Sequence, residues 1–266
     1  MRLGYIYILS FVLLFTFCKK KQTVTETEPA QITTPTGPAP GTQILKIYDA
    51  DLSSTGTHDN ATFFYFYDSN YRINLIKEYD TTLSPTYVVT KINYKEITYT
   101  YNSNNNVDVE TITSYSPTLF VQTNNYFYDA SQRMRKMVVY YNSVYNDSIA
   151  YSYLTNKIVS KQGSANGDTI YINSVTQNLD SVHYFASGYV YKYQMDGKVN
   201  AFKTHDYALN PYDISPYKCD YNIKKVKTPF GTYNYTYTYN ANNYPAFYTT
   251  ILSTGSGCNV TFYYNN

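Results

Sequence analysis

Thr232-Tyr-Asn-Tyr-Thr-Tyr-Thr-Tyr-Asn240 decides how this chain is read. Tyr233, Tyr235, Tyr237 and Tyr239 alternate with Thr232, Asn234, Thr236 and Thr238. A strand turns successive side chains to opposite faces, so four phenols share one face and small polar groups the other. Ala241-Asn242-Asn243 then supplies the short polar side chains of a turn, and strand character resumes from Tyr244 to Leu252. The stretch predicts a tyrosine-striped hairpin.

The same unit recurs along the chain. Tyr-x-Tyr, a polar bend and a second strand start at Tyr65, Tyr99, Tyr126, Tyr151, Tyr191 and Tyr237. These starts lie 34, 27, 25, 40 and 46 residues apart, whereas a solenoid or propeller keeps a fixed period. Hairpins joined by loops of unequal length fit that spacing. No stretch after the N-terminal segment places apolar residues three and four apart, and no strand–helix–strand pattern occurs. The expectation is an all-β, antiparallel meander, as an up-and-down barrel or a strongly curved single sheet; a β-sandwich is the alternative. Lys91-Ile-Asn-Tyr-Lys-Glu-Ile-Thr-Tyr-Thr-Tyr101 carries polar and aromatic groups on both faces. A sandwich needs one dry face per sheet, and closure removes exposed edges, so the barrel is favoured. A membrane-spanning barrel needs a continuous apolar outer band. Neither the Thr/Asn face nor the phenolic face of the 232–240 strand provides one.

Composition supports strands. Thirty-six tyrosines and 13 phenylalanines make 18% of the chain aromatic with no tryptophan, and tyrosine suits pleated, half-buried surfaces. Only 15% of residues are charged and the net charge is +2, which points away from nucleic acid as a partner.

The first 17 residues have Arg2, then an apolar run from Tyr5 to Phe17. A run of 13 residues, broken only by Ser10 and Thr16, is too short to cross a bilayer as a helix and suits the core of a signal peptide. Leu14-Phe-Thr-Phe-Cys18 followed by Lys19, Lys20 and Lys21 resembles a bacterial lipoprotein signal of the looser kind found in Bacteroidota, with bulky Phe17 where a small residue is usual. The resemblance implies that Cys18 is acylated and heads the mature chain. Residues 18–43 hold Pro29, Pro35, Pro38 and Pro40 among Thr, Gly and Ala, without apolar periodicity, and read as an extended tether. The all-β repeat domain is then 44–266. Periplasmic and surface-facing placements on the outer membrane both stay open, because lysines stand where surface-bound relatives often carry acids.

The hairpins themselves resemble, at short range, the tyrosine-aspartate repeats of large bacterial wrapping toxins. They resemble more closely Bacteroidota lipoproteins whose repeats read Tyr-x-Tyr-Asp-x-x-Gly-[Arg/Lys]-[Leu/Ile]. Tyr65-Phe-Tyr-Asp68, Tyr126-Phe-Tyr-Asp129 and Tyr191 to Val199 carry the likeness. It implies a porin-like β-barrel over roughly residues 44 to 266.

Chemistry-bearing groups are sparse. Cys219 and Cys258 can form a disulfide in an oxidising compartment; two separate thiols is the other reading. His58, His183 and His205 match no metal or nucleophile motif, so no metal or cofactor is expected. The stretch from Asp206 to Phe230 reads as the longest irregular segment. Its Tyr207, Tyr212, Tyr217, Lys218, Lys224, Lys225 and Lys227 form a possible binding loop for an acidic glycan or another envelope protein, or a cover over the sheet end. Asp80-Thr-Thr, Asp147-Ser-Ile, Asp168-Thr-Ile and Asp180-Ser-Val resemble the acceptor triplet of Bacteroidota O-glycosylation, which implies Thr81, Ser148, Thr169 and Ser181 as acceptors. A hydrolase needs two carboxylates, such as Asp180 and Glu110, to converge inside the sheet. The reading favoured is a lipid-anchored envelope protein with a non-catalytic binding or structural role; glycan binding is the first alternative, hydrolysis the second.

Overall fold

The structure is a computed structural model that describes residues 43–51, 58–83, 89–116, 118–163, 165–200, 220–253 and 257–265. The expected signal (1–17) and all but the last residue of the tether (18–43) lie outside them. Sixteen strands follow one another: β1 (Ile44–Asp51), β2 (His58–Tyr67), β3 (Ile73–Leu83), β4 (Val89–Tyr101), β5 (Val107–Ser114), β6 (Phe120–Tyr128), β7 (Met134–Tyr141), β8 (Val144–Leu154), β9 (Lys157–Gln162), β10 (Ala165–Ile172), β11 (Leu179–His183), β12 (Val190–Val199), β13 (Tyr221–Thr228), β14 (Gly231–Tyr239), β15 (Pro245–Leu252) and β16 (Gly257–Tyr264). Each pairs antiparallel with its neighbours in sequence, and β1 pairs with β16, so the meander closes into a barrel. The sandwich alternative is excluded by that closure, and no helix occurs among the described residues.

The wall has two rims. The terminal rim holds the turns from even to odd strands, such as β2 to β3 and β6 to β7, together with both chain ends. There the Asn265 amide donates to the Gln43 carbonyl at 2.9 Å, and the Gln43 amide donates to Asn265 Oδ1 at 3.0 Å. The distal rim holds the turns from odd to even strands.

Sidedness follows the period of two. Tyr65, Ile76, Ile97 and Ile112 stand in register across β2 to β5, and the first three are almost fully buried. They mark the inner face. In β14 the four predicted phenols line it too: Tyr233 faces Val226 and Leu252, Tyr235 faces Thr250, and Tyr237 faces Tyr248. Thr232, Asn234, Thr236 and Thr238 point outward. Sixteen strands enclose a wide interior, and large side chains pack it in two clusters. One runs from β16 through β1 to β7, around Tyr65, Ile73 and Phe262; the other spans β10 to β14, around Leu179, Tyr193 and Val226.

One expectation is corrected. Asp206 to Phe230 is not irregular throughout, because Tyr221–Thr228 is strand β13. Val226 is fully buried on the inner face while Lys225 and Lys227 point outward, their aliphatic stems being compatible with a solvated strand face. The four-lysine group therefore divides: Lys224, Lys225 and Lys227 are on a strand, and Lys218 lies outside the described residues.

Candidate functional site

The repeat builds the terminal rim. At Asp68, Asn102, Asp129 and Asn240 the same turn forms: the side-chain oxygen Oδ1 accepts from backbone amides two and four residues on, for example Asn70 at 2.9 Å and Arg72 at 3.0 Å. The residue three positions on, Tyr71, Asn105, Gln132 or Asn243, takes positive φ near 60°. The next strand then begins with a one-residue bulge, at Asn74, Asp108, Arg135 and Ala246.

A bulge leaves a carbonyl outside the regular ladder. In this wall a phenol fills that gap. Tyr101 Oη donates to the Ile73 carbonyl at 2.6 Å, Tyr128 to Val107 at 2.8 Å, Tyr153 to Met134 at 2.9 Å and Tyr264 to Pro245 at 2.8 Å. Tyr67 does the same to Ile44 at 2.7 Å, and Tyr237 to Ile223 at 2.8 Å. Arginines join two of these corners. Arg72 bonds Asp68 and lies over the Tyr101 ring at 4.2 Å; Arg133 bonds Asp129 and lies over Tyr153 at 4.6 Å. The Arg133 hydrogen bond holds the Asp129 carboxyl below its ordinary range.

Away from this rim the interior turns polar. Glu78 on β3 is buried and ion-paired to Lys95 on β4 at 2.6 Å. Glu110 on β5, 2% exposed, accepts from Asn124 Nδ2 at 2.6 Å and Tyr126 Oη at 2.8 Å. Burial raises its carboxyl above the usual range, opposed by the bonds from Asn124, Tyr126 and Tyr99. Glu78 stands level with Lys95, and Glu110 level with Tyr99, four residues further along β4. At ~3.3 Å per residue that is about 13 Å, beyond the spacing of either glycosidase carboxylate pair. Asp180 is exposed on β11, six strands round the wall from Glu110. The two carboxylates of the hydrolase alternative do not meet.

The outer wall carries a ring ladder. Tyr79, Tyr94 and Tyr115 stack at 4.8 and 5.1 Å, and Glu96 accepts from Tyr94 and Tyr115 while pairing with Lys77 at 3.1 Å. The stacking covers both faces of Tyr94 and one face each of Tyr79 and Tyr115.

Other predicted site residues are scattered. Cys258 is half-buried on β16, opposite Thr250. Cys18, Cys219, His205, Tyr207, Tyr212 and Tyr217 lie outside the described residues. Thr81, Ser148 and Thr169 are half-buried on β3, β8 and β10; Ser181 on β11 is buried, its hydroxyl donating to Asp180 at 3.1 Å. His58 is on β2, and His183 on β11 packs its ring 4.4 Å from Tyr171. Among the described residues no three His, Cys, Asp or Glu side chains gather as a metal site would require. Sequence reasoning missed the two arginines, although Asp-x-x-x-Arg at equal spacing in both full repeats was the available signal. It also missed Lys95, whose partner lies across the ladder.

No protein-family model matches the chain, and no curated protein does. Among solved structures it is similar to a porin-like protein from Bacteroides uniformis ATCC 8492, known from a 2.32 Å crystal structure. Identity is 14%, the match covers 85% of this chain and 98% of that one, and the TM-score is 0.43.

Proposed function

We propose that this is a lipid-anchored, water-facing β-barrel of the bacterial envelope, with a binding or structural role and no catalysis. The observation that carries the reading is the polarity of the wall. A barrel that crosses a bilayer turns an apolar band outward and keeps a polar lumen. This one mixes the two: its outer face carries Phe64, Tyr79 and Tyr94 but no unbroken apolar band, and its inner face buries Glu78 and Glu110. Its outward positions include Lys46, Lys77, Glu96, Lys136, Lys192 and Lys227, on β1, β3, β4, β7, β12 and β13, and the outward face of β14 is Thr and Asn. A lysine on the lipid face costs ~2–4 kcal/mol at the midplane. The inner face holds Ile, Phe and Tyr. Charges spread over the outer face in this way are solvated in water and unfavourable against the hydrocarbon core.

Cys18 then supplies the membrane attachment, and residues 18–43 connect it to the terminal rim at Gln43. Cys219 bridges Cys258, closing a loop that stabilises the fold by about 3–4 kcal/mol in the chain-entropy view. The hydroxyls of Thr81, Ser148 and Thr169, on the outward face, are the glycan acceptors; intact mass of protein from its own host tests that.

Acyl labelling with fractionation tests the central reading. Wild-type protein takes up a labelled fatty acid and resists carbonate extraction. The Cys18→Ala chain takes up none, and its barrel is extracted by carbonate. A Cys18→Ala barrel that withstands carbonate and detergent like an integral protein would show that the wall itself spans the membrane.

A further inference from the structure

The distal rim carries an apolar and basic surface over β11 to β14 that neither the core nor the repeat requires. Phe185 and Tyr189 lie in the turn between β11 and β12, and Phe230 in the turn between β13 and β14. Phe185 is 59% and Phe230 58% exposed, and Tyr189 meets Phe230 edge to face at 5.0 Å. Below them on the outer wall Lys192 and Lys227 stand directly opposite each other across β12 and β13, and Lys225 follows two residues further down, opposite Gln194. Like charges directly opposite on a sheet are destabilising. The ion pairs of Arg72, Lys77, Lys95 and Arg133 do not involve this trio.

We propose that this sector of the distal rim docks onto an anionic lipid surface. The vertical order is what selects the occupant. The Phe185 and Phe230 rings lie in the loop tips, Tyr189 closes its loop against Tyr184, and the three lysines follow on the strands below. That sequence matches acyl chains followed by phosphate headgroups. The surface lies at the end opposite Gln43 and Asn265, so docking here leaves the chain ends pointing away from the lipid it touches. The inference does not depend on acylation at Cys18.

The absence of tryptophan from the chain makes the test direct. In the full-length protein, Phe230→Trp places one indole on the patch and Tyr71→Trp one on the terminal rim. Each is titrated with phosphatidylglycerol vesicles whose acyl chains are brominated, and with phosphatidylcholine vesicles. The Phe230→Trp emission is expected to shift to the blue and be quenched by the anionic vesicles only, while the Tyr71→Trp signal stays unchanged. Adding Lys192→Glu, Lys225→Glu and Lys227→Glu is expected to weaken the quenching titration about tenfold or more. Circular dichroism checks that this exposed triple variant stays folded. Equal quenching at both reporters, or quenching indifferent to the three reversals, overturns the proposal. So does a blue shift without bromine quenching, whether produced by dextran sulfate or by raising protein concentration alone; those would assign the patch to a soluble polyanion or to a second copy.

Discussion

Six phenol hydroxyls, on Tyr67, Tyr101, Tyr128, Tyr153, Tyr237 and Tyr264, each donate to a main-chain carbonyl near the start of the preceding strand. Such a bond is worth about 0.5–1.5 kcal/mol, and removing the donor leaves a carbonyl beside a bulge without its partner. Tyr101→Phe is therefore expected to lower stability by about 1 kcal/mol or somewhat more, seen as a lower urea midpoint with an unchanged slope. Glu110 works the other way. Its folded-state carboxyl titrates above the ordinary 4.5, so above pH 4.5 the unfolded chain gives up this proton before the folded one does. Stability from this group is complete below 4.5 and falls as pH rises through the raised folded value. Glu110→Gln keeps the hydrogen-bonding shape and is expected to flatten that slope; urea titrations between pH 4 and 8 check it. A variant as pH-dependent as wild type would mean that Glu110 is not the group responsible.

The hairpin is the scale at which the sequence speaks most clearly. Alternation in Thr232 to Asn240 gave the strand, its sidedness and the turn after it, because a period of two is local. Asp68, Asn102, Asp129 and Asn240 could be read as turn formers for the same reason. The bulges at Asn74, Asp108 and Arg135 could not, since a bulge is defined by what the partner strand does. The acceptors of the phenols were equally hidden, lying some 14 to 28 residues back along the chain. Lys225 and Lys227 misled because lysines beside Pro229 look like loop, while the deciding residue, Val226, is one apolar side chain facing inward. Two predictions belong here. Asn142 and Ser143 form a two-residue turn with φ of 47° and 67°, a conformation glycine takes without penalty. Ser143→Gly is expected to raise stability by about 0.5–1 kcal/mol, read as a higher melting temperature. Asp129→Ala removes the amide acceptor of its turn together with the Arg133 partner, and is expected to destabilise the β6–β7 hairpin first. Hydrogen exchange should show earlier loss of protection in β6 and β7 than in β14; uniform loss would mean that the turn does not nucleate its own hairpin.

For the molecule as a whole, polarity carries information that strand count does not. Sixteen strands alone are compatible with a channel; here rings and aliphatic side chains pack the interior in two clusters, buried Glu78 and Glu110 share it, and lysines and tyrosines are spread over the outer face. The barrel class was legible from the mixed faces of strands such as Lys91 to Tyr101. Closure itself was not, because the pairing of β1 with β16 joins residues more than 200 positions apart. That pairing also means the wall has no privileged beginning. Linking Asn265 to Gln43 through a few glycines and opening the chain between Asn142 and Ser143 would give a circular permutant with every ladder intact. Its circular dichroism and urea midpoint are expected to stay close to the parent's, and its new N-terminus would emerge from the opposite end. Any tether grafted there would leave from the other rim, exchanging which end of the barrel is held and which is presented without altering a single strand.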